Sequence, residues 1–266
     1  MTEWLAPESL DEALELRAEH GGEATVLAGG TFVGILMNQG FLAPETLLSL
    51  GRVHGLDEIE VVDGELRLGA MATHRAVERS AVVRNGWPVL ARAFSLVASP
   101  RVRNQATVGG VLADADYASD PPAVLTALGA RVVLRSPRGE RVVGMDELIR
   151  GHYETCIADD ELLVEVRVPP SPERAVYRKF RSRSSEDRPC VAVAAVRGDA
   201  GLRVVVGAVA GRPQELPELC ARGGGPAEIG RGYAEAIEPM SDSRGSAAYR
   251  RRVIGVEVRR ALEALA

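Results

Sequence analysis

The sequence predicts an α+β fold in two parts, and three observations predict it. Strand-like and helical patterns alternate through the first fifty residues. A Pro169-Pro170-Ser171-Pro172 run then interrupts the chain. Beyond it, three consecutive strand-like runs precede helical, arginine-rich sequence. The boundaries expected are residues 1–170 for the first domain, with subdomains at about 1–52 and 53–170, and 174–266 for the second.

The opening reads as β-α-β. Ser9 and Glu12 have the spacing of a capping box, Leu10, Ala13, Leu14 and Leu16 form an apolar helical face, and Gly21-Gly22 ends the helix. Thr25–Leu27 is a short strand that runs into Ala28-Gly29-Gly30-Thr31. Phe32–Asn38 reads as a helix and Leu47–Leu50 as a second strand. Strands at Ile59–Asp63 and Glu65–Leu68 meet at the tight Asp63-Gly64 turn. Helices are expected at His74–Ser80 and Val89–Val97, with a turn forced by Pro100 and weak periodicity from Arg101 to Val111. Asp120 precedes a helix over Pro121–Leu128 as its cap, with Pro121 at the first position. Strands follow at Arg131–Arg135 and Leu162–Val168. After the linker come strands at Ala175–Phe180, Val191–Val196 and Leu202–Val209, a three-stranded sheet with helices behind it.

With 46% hydrophobic and 26% charged residues among 266, the chain has the composition of a soluble globular protein. A net charge of −5 argues against nucleic acid or an anionic membrane as the main partner. Cys156, Cys190 and Cys220 match no CxxC pair and cannot supply the four thiolates of an iron–sulfur cluster. The four histidines are scattered, so no metal site is expected. The sparse cysteines, a start without a signal-like apolar run and the lack of a membrane-length apolar stretch point to a cytoplasmic protein.

The sharpest local features are two glycine pairs beside threonines, Ala28-Gly29-Gly30-Thr31 and Thr107-Val108-Gly109-Gly110. Such loops can turn backbone N–H groups toward a diphosphate because no Cβ blocks the approach. Each pair alone is better read as a plain turn. Neither loop matches GxGxxG or GxxxxGK[ST], so neither a Rossmann site nor a Walker loop is indicated.

Leu27-Ala28-Gly29-Gly30-Thr31 resembles the first FAD-diphosphate loop of the flavoprotein (medium) subunits of molybdenum hydroxylases, of the carbon monoxide dehydrogenase and xanthine dehydrogenase type. Val102-Arg103-Asn104-Gln105-Ala106-Thr107-Val108-Gly109-Gly110 resembles their second loop. Ala115-Asp116-Tyr117-Ala118-Ser119-Asp120-Pro121-Pro122-Ala123, Leu68–Thr73, Glu161–Pro169, Tyr177-Arg178-Lys179-Phe180 and Tyr249-Arg250-Arg251 also fit, in order, over nearly the whole chain. Departures occur at Ala106, Val111, Asp114 and Tyr117, where the family pattern has glycine, asparagine, histidine and proline.

The resemblance implies a two-subdomain FAD-binding domain, like that of vanillyl-alcohol oxidases (PCMH-type), followed by a small α+β domain. It implies FAD as cofactor, with its diphosphate between Ala28, Gly29, Gly30 and Thr31 on one side and Thr107, Gly109 and Gly110 on the other. Leu27, Phe32, Val33 and Ala106 would line the cofactor, and Val97 and Ala98 would approach its adenine. Asp120, with Ser119 beside it, would accept bonds from ribityl or ribose hydroxyls. Leu162 and Leu163 would pack by the isoalloxazine, although pattern alone makes them buried strand residues. Lys179 would lie at the pyrimidine side of the flavin. It is the single lysine among 32 basic residues, and an ammonium is a compact point charge that a guanidinium does not replace. No residue of the protein is assigned as catalytic, because the flavin is the redox centre.

The function implied is electron transfer, from iron–sulfur clusters of a partner through FAD to an external acceptor. The partners would be a molybdopterin-binding large subunit and a 2Fe–2S small subunit. Two alternatives are a stand-alone FAD-dependent oxidoreductase of the same fold and a flavin-free assembly or sensor protein.

Overall fold

A computed structural model of the chain describes residues 2–184 and 186–266. Its first layer is a parallel sheet in which Thr46–Ser49 lies between Glu3–Leu5 and Ala24–Leu27. The helix Leu10–His20 crosses between the outer strands. Ser9 caps it by accepting the Glu12 N–H, and Gly21 ends it at a φ of 53°. Glu3–Leu5 is a strand that its sequence did not announce; three residues are too few to display alternation.

The second sheet is antiparallel, in the order Ile59–Val62, Glu65–Gly69, Leu162–Val168, Arg131–Ser136, Gly139–Gly144. Its first hairpin turns at Asp63 and Gly64, whose φ values of 53° and 82° fit a primed turn. Helices His74–Arg79, Ala81–Gly86 and Pro88–Ser95 cover this sheet. Leu66, Leu68, Leu90, Phe94, Leu125 and Leu134 meet in one core, where each fully buried apolar side chain contributes about 2 kcal/mol.

Pro100 marks a turn, as expected, and the turn is a helical one. The proline starts the helical turn Pro100–Arg103, with Ser99 accepting the Val102 N–H as cap; a proline lacks only a donor that the first turn would leave free. A further helix, Val108–Asp114, capped by Thr107, begins just before the Gly109-Gly110 pair. The strand Gly139–Gly144 and the small hairpin Ile149–Gly151/Glu154–Thr155 are also additions to the expected elements.

Past the Pro169–Pro172 linker, Arg174–Phe180, Val191–Gly198 and Gly201–Gly207 form the expected antiparallel sheet. The two-residue strand Gln214–Glu215 extends it to four strands. One face packs on the wholly buried helix Pro121–Ala127. There a Cβ on Gly207 would lie 2.8 Å from that of Ala123, so only glycine permits the approach. The other face packs on Pro226–Ala236 and Ala247–Leu265 through Val193, Val206, Ile229 and Ile254. The linker therefore joins parts that share a continuous core, with Ala192, Ala194 and Val205 belonging to the cluster of the antiparallel sheet.

Candidate cofactor site

The two glycine loops, eighty residues apart, meet. A Cβ built on Gly29 would lie 1.8 Å from the Gln105 carbonyl oxygen, and one on Gly110 would lie 3.9 Å from the Cβ of Ala28. Gly109 is pressed against Ala70, where a Cβ would come within 2.7 Å of the alanine methyl. Close approach therefore requires Gly29 and Gly109, whereas a φ of 68° requires Gly30.

The loops differ in what their amides do. In the second loop, Gly109 N–H donates to the Ala70 carbonyl at 2.7 Å and Gly110 N–H to the Thr107 hydroxyl at 3.1 Å. The expectation that both loops point their N–H groups at an anion is corrected here, because a helix cap and a backbone bridge engage the second loop. In the first loop, no described residue accepts the N–H of Gly29, Gly30, Thr31 or Phe32. Those amides form the concave donor surface that an anion fits.

Beside the loops lies a cavity of about 680 Å³, within the range of small-molecule sites. Ala28, Gly29, Gly30, Thr31, Phe32, Val33, Ala106, Thr107, Gly109, Gly110, Ser119, Asp120, Leu162, Leu163 and Lys179 all line it. Leu27 does not. Alternation along its strand turns Ala24 and Val26 to the cavity, and the Leu27 side chain instead lies under Gly30, 3.5 Å from where a Cβ would stand.

Asp120 does not cap its helix by side chain, because its own backbone is helical and its carboxylate points elsewhere. Oδ2 accepts from Lys179 Nζ at 2.9 Å and Oδ1 accepts the Tyr177 hydroxyl at 2.5 Å. Lys179 also donates to the Leu96 carbonyl at 2.8 Å. Burial pushes Asp120 up and Lys179 down from their ordinary values, and their mutual attraction opposes both shifts. The Leu96 contact sets Lys179 beside Val97 and Ala98. A flavin pyrimidine at Lys179 and an adenine at Val97 and Ala98 would thus compete for one end of the cavity. Another part of the lining, Arg17, Ala24, Val26, Leu50 and Leu162, belongs to a different region. There Leu162 packs with Ala13, Leu14 and Leu50.

Other residues in or beside the lining were assigned no role from the sequence. His74 is buried, and its Nε2–H donates to the Thr107 carbonyl at 3.1 Å. Burial pushes its pKa down to about 4, against the Thr107 bond and with the help of Arg103. Arg103 is buried as well. It donates through Nη1 to the carbonyls of Val97 and Ala98 at 2.7 and 2.8 Å and through Nε to Glu78 at 3.0 Å. Arg17 holds the Gly21 and Ala24 carbonyls at 2.6 and 2.8 Å. Asp114 ends its helix facing the cavity, and burial raises it to about 7 against the pull of Arg188. Arg188 pairs with the buried Asp116. His74 depends on Thr107 and Arg188 on Asp116, partners distant in the chain, whereas Arg17 and Arg103 hold nearby backbone carbonyls that no side-chain pattern announces.

Tyr117, where the family pattern has proline, joins the two domains. Its hydroxyl donates to Asp242 at 2.5 Å and accepts from Arg244 at 2.9 Å. Asp242 also accepts from the wholly buried Arg250 at 2.7 Å.

Among the described residues, no helix is long and apolar enough to cross a membrane, and no three His, Cys, Asp or Glu side chains form a metal-sized group.

Comparison with known proteins agrees with this geometry. The family described as FAD binding domain in molybdopterin dehydrogenase matches residues 1–171. The nicotine 6-hydroxylase medium subunit of Paenarthrobacter nicotinovorans is 31% identical, over 97% of this chain and 95% of its own length. The carbon monoxide dehydrogenase medium chain of Hydrogenophaga pseudoflava is 32% identical, over 98% and 96%. A solved structure of carbon monoxide dehydrogenase from the same organism, lacking the Mo-pyranopterin moiety, superimposes with a TM-score of 0.94 at 31% identity, covering 99% of this chain and 96% of that one. The chain therefore belongs to the FAD-binding medium subunits of the molybdenum hydroxylases, an oxidoreductase family, and its cofactor is FAD.

Proposed function

We propose that this chain carries electrons from the iron–sulfur clusters of a partner subunit through FAD to an external acceptor. It would do so within a complex that also holds a molybdopterin-binding large subunit and a 2Fe–2S small subunit. The observation that carries this reading is the cavity at the meeting of the two glycine loops, in a chain aligned with medium subunits end to end. When bound there, FAD supplies a centre that takes up electrons singly or in pairs.

The residues present fit that group. The free amides of Gly29, Gly30 and Thr31, with Ala28 beside them, would hold the diphosphate. The second loop would close over it, with Gly109 and Gly110 giving room and the Thr107 hydroxyl still having a proton to donate. Phe32, Val33 and Ala106 would supply apolar walls, and Ser119 a hydroxyl. Leu163 would pack by the isoalloxazine, whereas Leu162, grouped with Leu50 in the lining, would pack by the adenine instead of the isoalloxazine expected for it. Lys179 would face the flavin's pyrimidine edge, where a fixed ammonium favours the more negatively charged reduced state. Val97 and Ala98 are then left to the same ring rather than to the adenine, which would occupy the end near Arg17, Val26 and Leu162. A cytoplasmic location goes with this role.

The test is affinity purification of the chain from its native host. Co-purification of a molybdenum-containing and an iron–sulfur subunit, with flavin reduced when substrate is added to the complex, is the expected result. A flavin-bearing chain isolated alone and oxidising a small organic substrate by itself would overturn it.

A further inference from the structure

Tyr177 and Lys179 stand two residues apart on the strand Arg174–Phe180, so both side chains leave the same face. Their polar ends converge on Asp120, which comes from the other domain: the tyrosine hydroxyl reaches Oδ1 and the ammonium reaches Oδ2. The side chains of Lys179 and Asp120 are 1% and 4% exposed. An ammonium has three N–H donors. Asp120 and the Leu96 carbonyl take two of them. The third has no acceptor among the described residues, and Lys179 lines the cofactor cavity. Asp120 thus has each carboxylate oxygen bound to a charged or hydroxyl donor.

We propose that Asp120 is a positioning residue for Lys179: it keeps the ammonium charged and aims its remaining N–H into the cavity, rather than serving chiefly as the acceptor for the cofactor's sugar hydroxyls. This rests on the reading of the cavity as the FAD site. The physical ground is the cost of a buried cation. Without a counter-charge at hydrogen-bond distance, an ammonium so enclosed loses its proton in preference to losing its water. Arg181 acts electrostatically on both Lys179 and Asp120 and disfavours a further positive charge, whereas Asp187 favours one. Asp120 makes direct bonds to the ammonium in addition. The group recognised by the directed N–H is the acceptor edge of a planar ring whose negative charge grows on reduction.

The test uses the full chain loaded with FAD and reads two quantities, FAD affinity and the midpoint potential of the bound flavin as a function of pH. Asp120→Asn is expected to hold FAD within about tenfold of the wild-type affinity. Its potential–pH curve should gain an inflection displaced toward neutral pH, where Lys179 now loses its proton. That inflection should vanish in the Asp120→Asn/Lys179→Met double variant. Tyr177→Phe, which removes one donor and little volume, should displace the curve in the same direction by less, and it carries the test should Asp120→Asn fail to fold. A curve for folded, FAD-saturated Asp120→Asn that superimposes on the wild type overturns the proposal, and a FAD affinity lowered by much more than tenfold in the same variant makes Asp120 a sugar ligand instead. A displaced inflection that survives in the double variant overturns the proposal too. A wild-type chain that takes up no flavin gives no curve at all, and that failure belongs to the proposed function instead.

Discussion

Gly29 faces the backbone carbonyl of Gln105 with no room between them: a methyl group at its Cβ position would stand 1.8 Å from that oxygen. This one approach brings the first loop's free amides up to the second loop. Neither side of the contact is a flexible side chain, so a larger residue has to displace backbone.

Gly29→Ala is therefore expected to separate the loops. Overpacking at a backbone contact should cost about 3 kcal/mol of stability. FAD affinity should fall more steeply than for Gly34→Ala, where the added methyl meets nothing within 4 Å. Thermal melts and flavin fluorescence titrations of the two variants check this.

Arg103→Met should destabilise the chain by about 3 kcal/mol, because it leaves Glu78 with less of its counter-charge and frees two carbonyls in a buried turn. Ala98 has a φ of 40°, a conformation this guanidinium helps to hold. Chemical denaturation measures the loss, and a weaker retention of FAD should accompany it because Val97 and Ala98 line the cavity.

His74 makes folding stability depend on pH. Its folded-state value of about 4 lies below the ordinary 6.5. Between these values the unfolded chain binds a proton that the folded chain excludes, so stability rises with pH across this window and levels off above it. The span corresponds to about 3 kcal/mol. Denaturant midpoints for wild type and His74→Gln at pH values inside and above the window should show the slope in the first and its loss in the second. Equal slopes would mean that His74 is not the group responsible.

Lys179→Ala should keep FAD bound and lower the potential of the flavin, since it removes the one positive charge held directly against the cavity by Asp120 and the Leu96 carbonyl. Spectroelectrochemistry of the FAD-loaded chain reads this directly, and an unchanged potential removes the role.

The glycine loops were legible in the sequence because glycine reports a backbone constraint by itself: Gly29, Gly30 and Gly109 each mark a place where a Cβ does not fit or φ is positive. The strand Leu162–Val168 and the Ser9 cap were equally local, an apolar run and a side-chain spacing. What the sequence did not disclose is pairing across distance. Lys179 stood out only as a single lysine; that Asp120, 59 residues away, holds it is a fact of how the sheet past the linker docks on Pro121–Ala127. Tyr117 looked like a departure from a pattern, and its hydroxyl proves to bind Asp242, 125 residues on. The amide of Gly109 looked free because nothing near it in sequence announces the Ala70 carbonyl, and that of Gly110 looked free although the Thr107 hydroxyl three residues earlier takes it as a helix cap. The short strands at Glu3–Leu5 and Gln214–Glu215 exist because neighbours offer them an edge, and two or three residues carry no period of their own.

The most direct measurement is a crystal structure of the chain grown with FAD. It should show the diphosphate against the N–H groups of Gly29, Gly30 and Thr31, with the flavin ring at Lys179 and the adenine toward Arg17 and Leu162. A diphosphate bound away from those amides, or a cavity that stays closed to FAD at saturating concentration, would contradict the account.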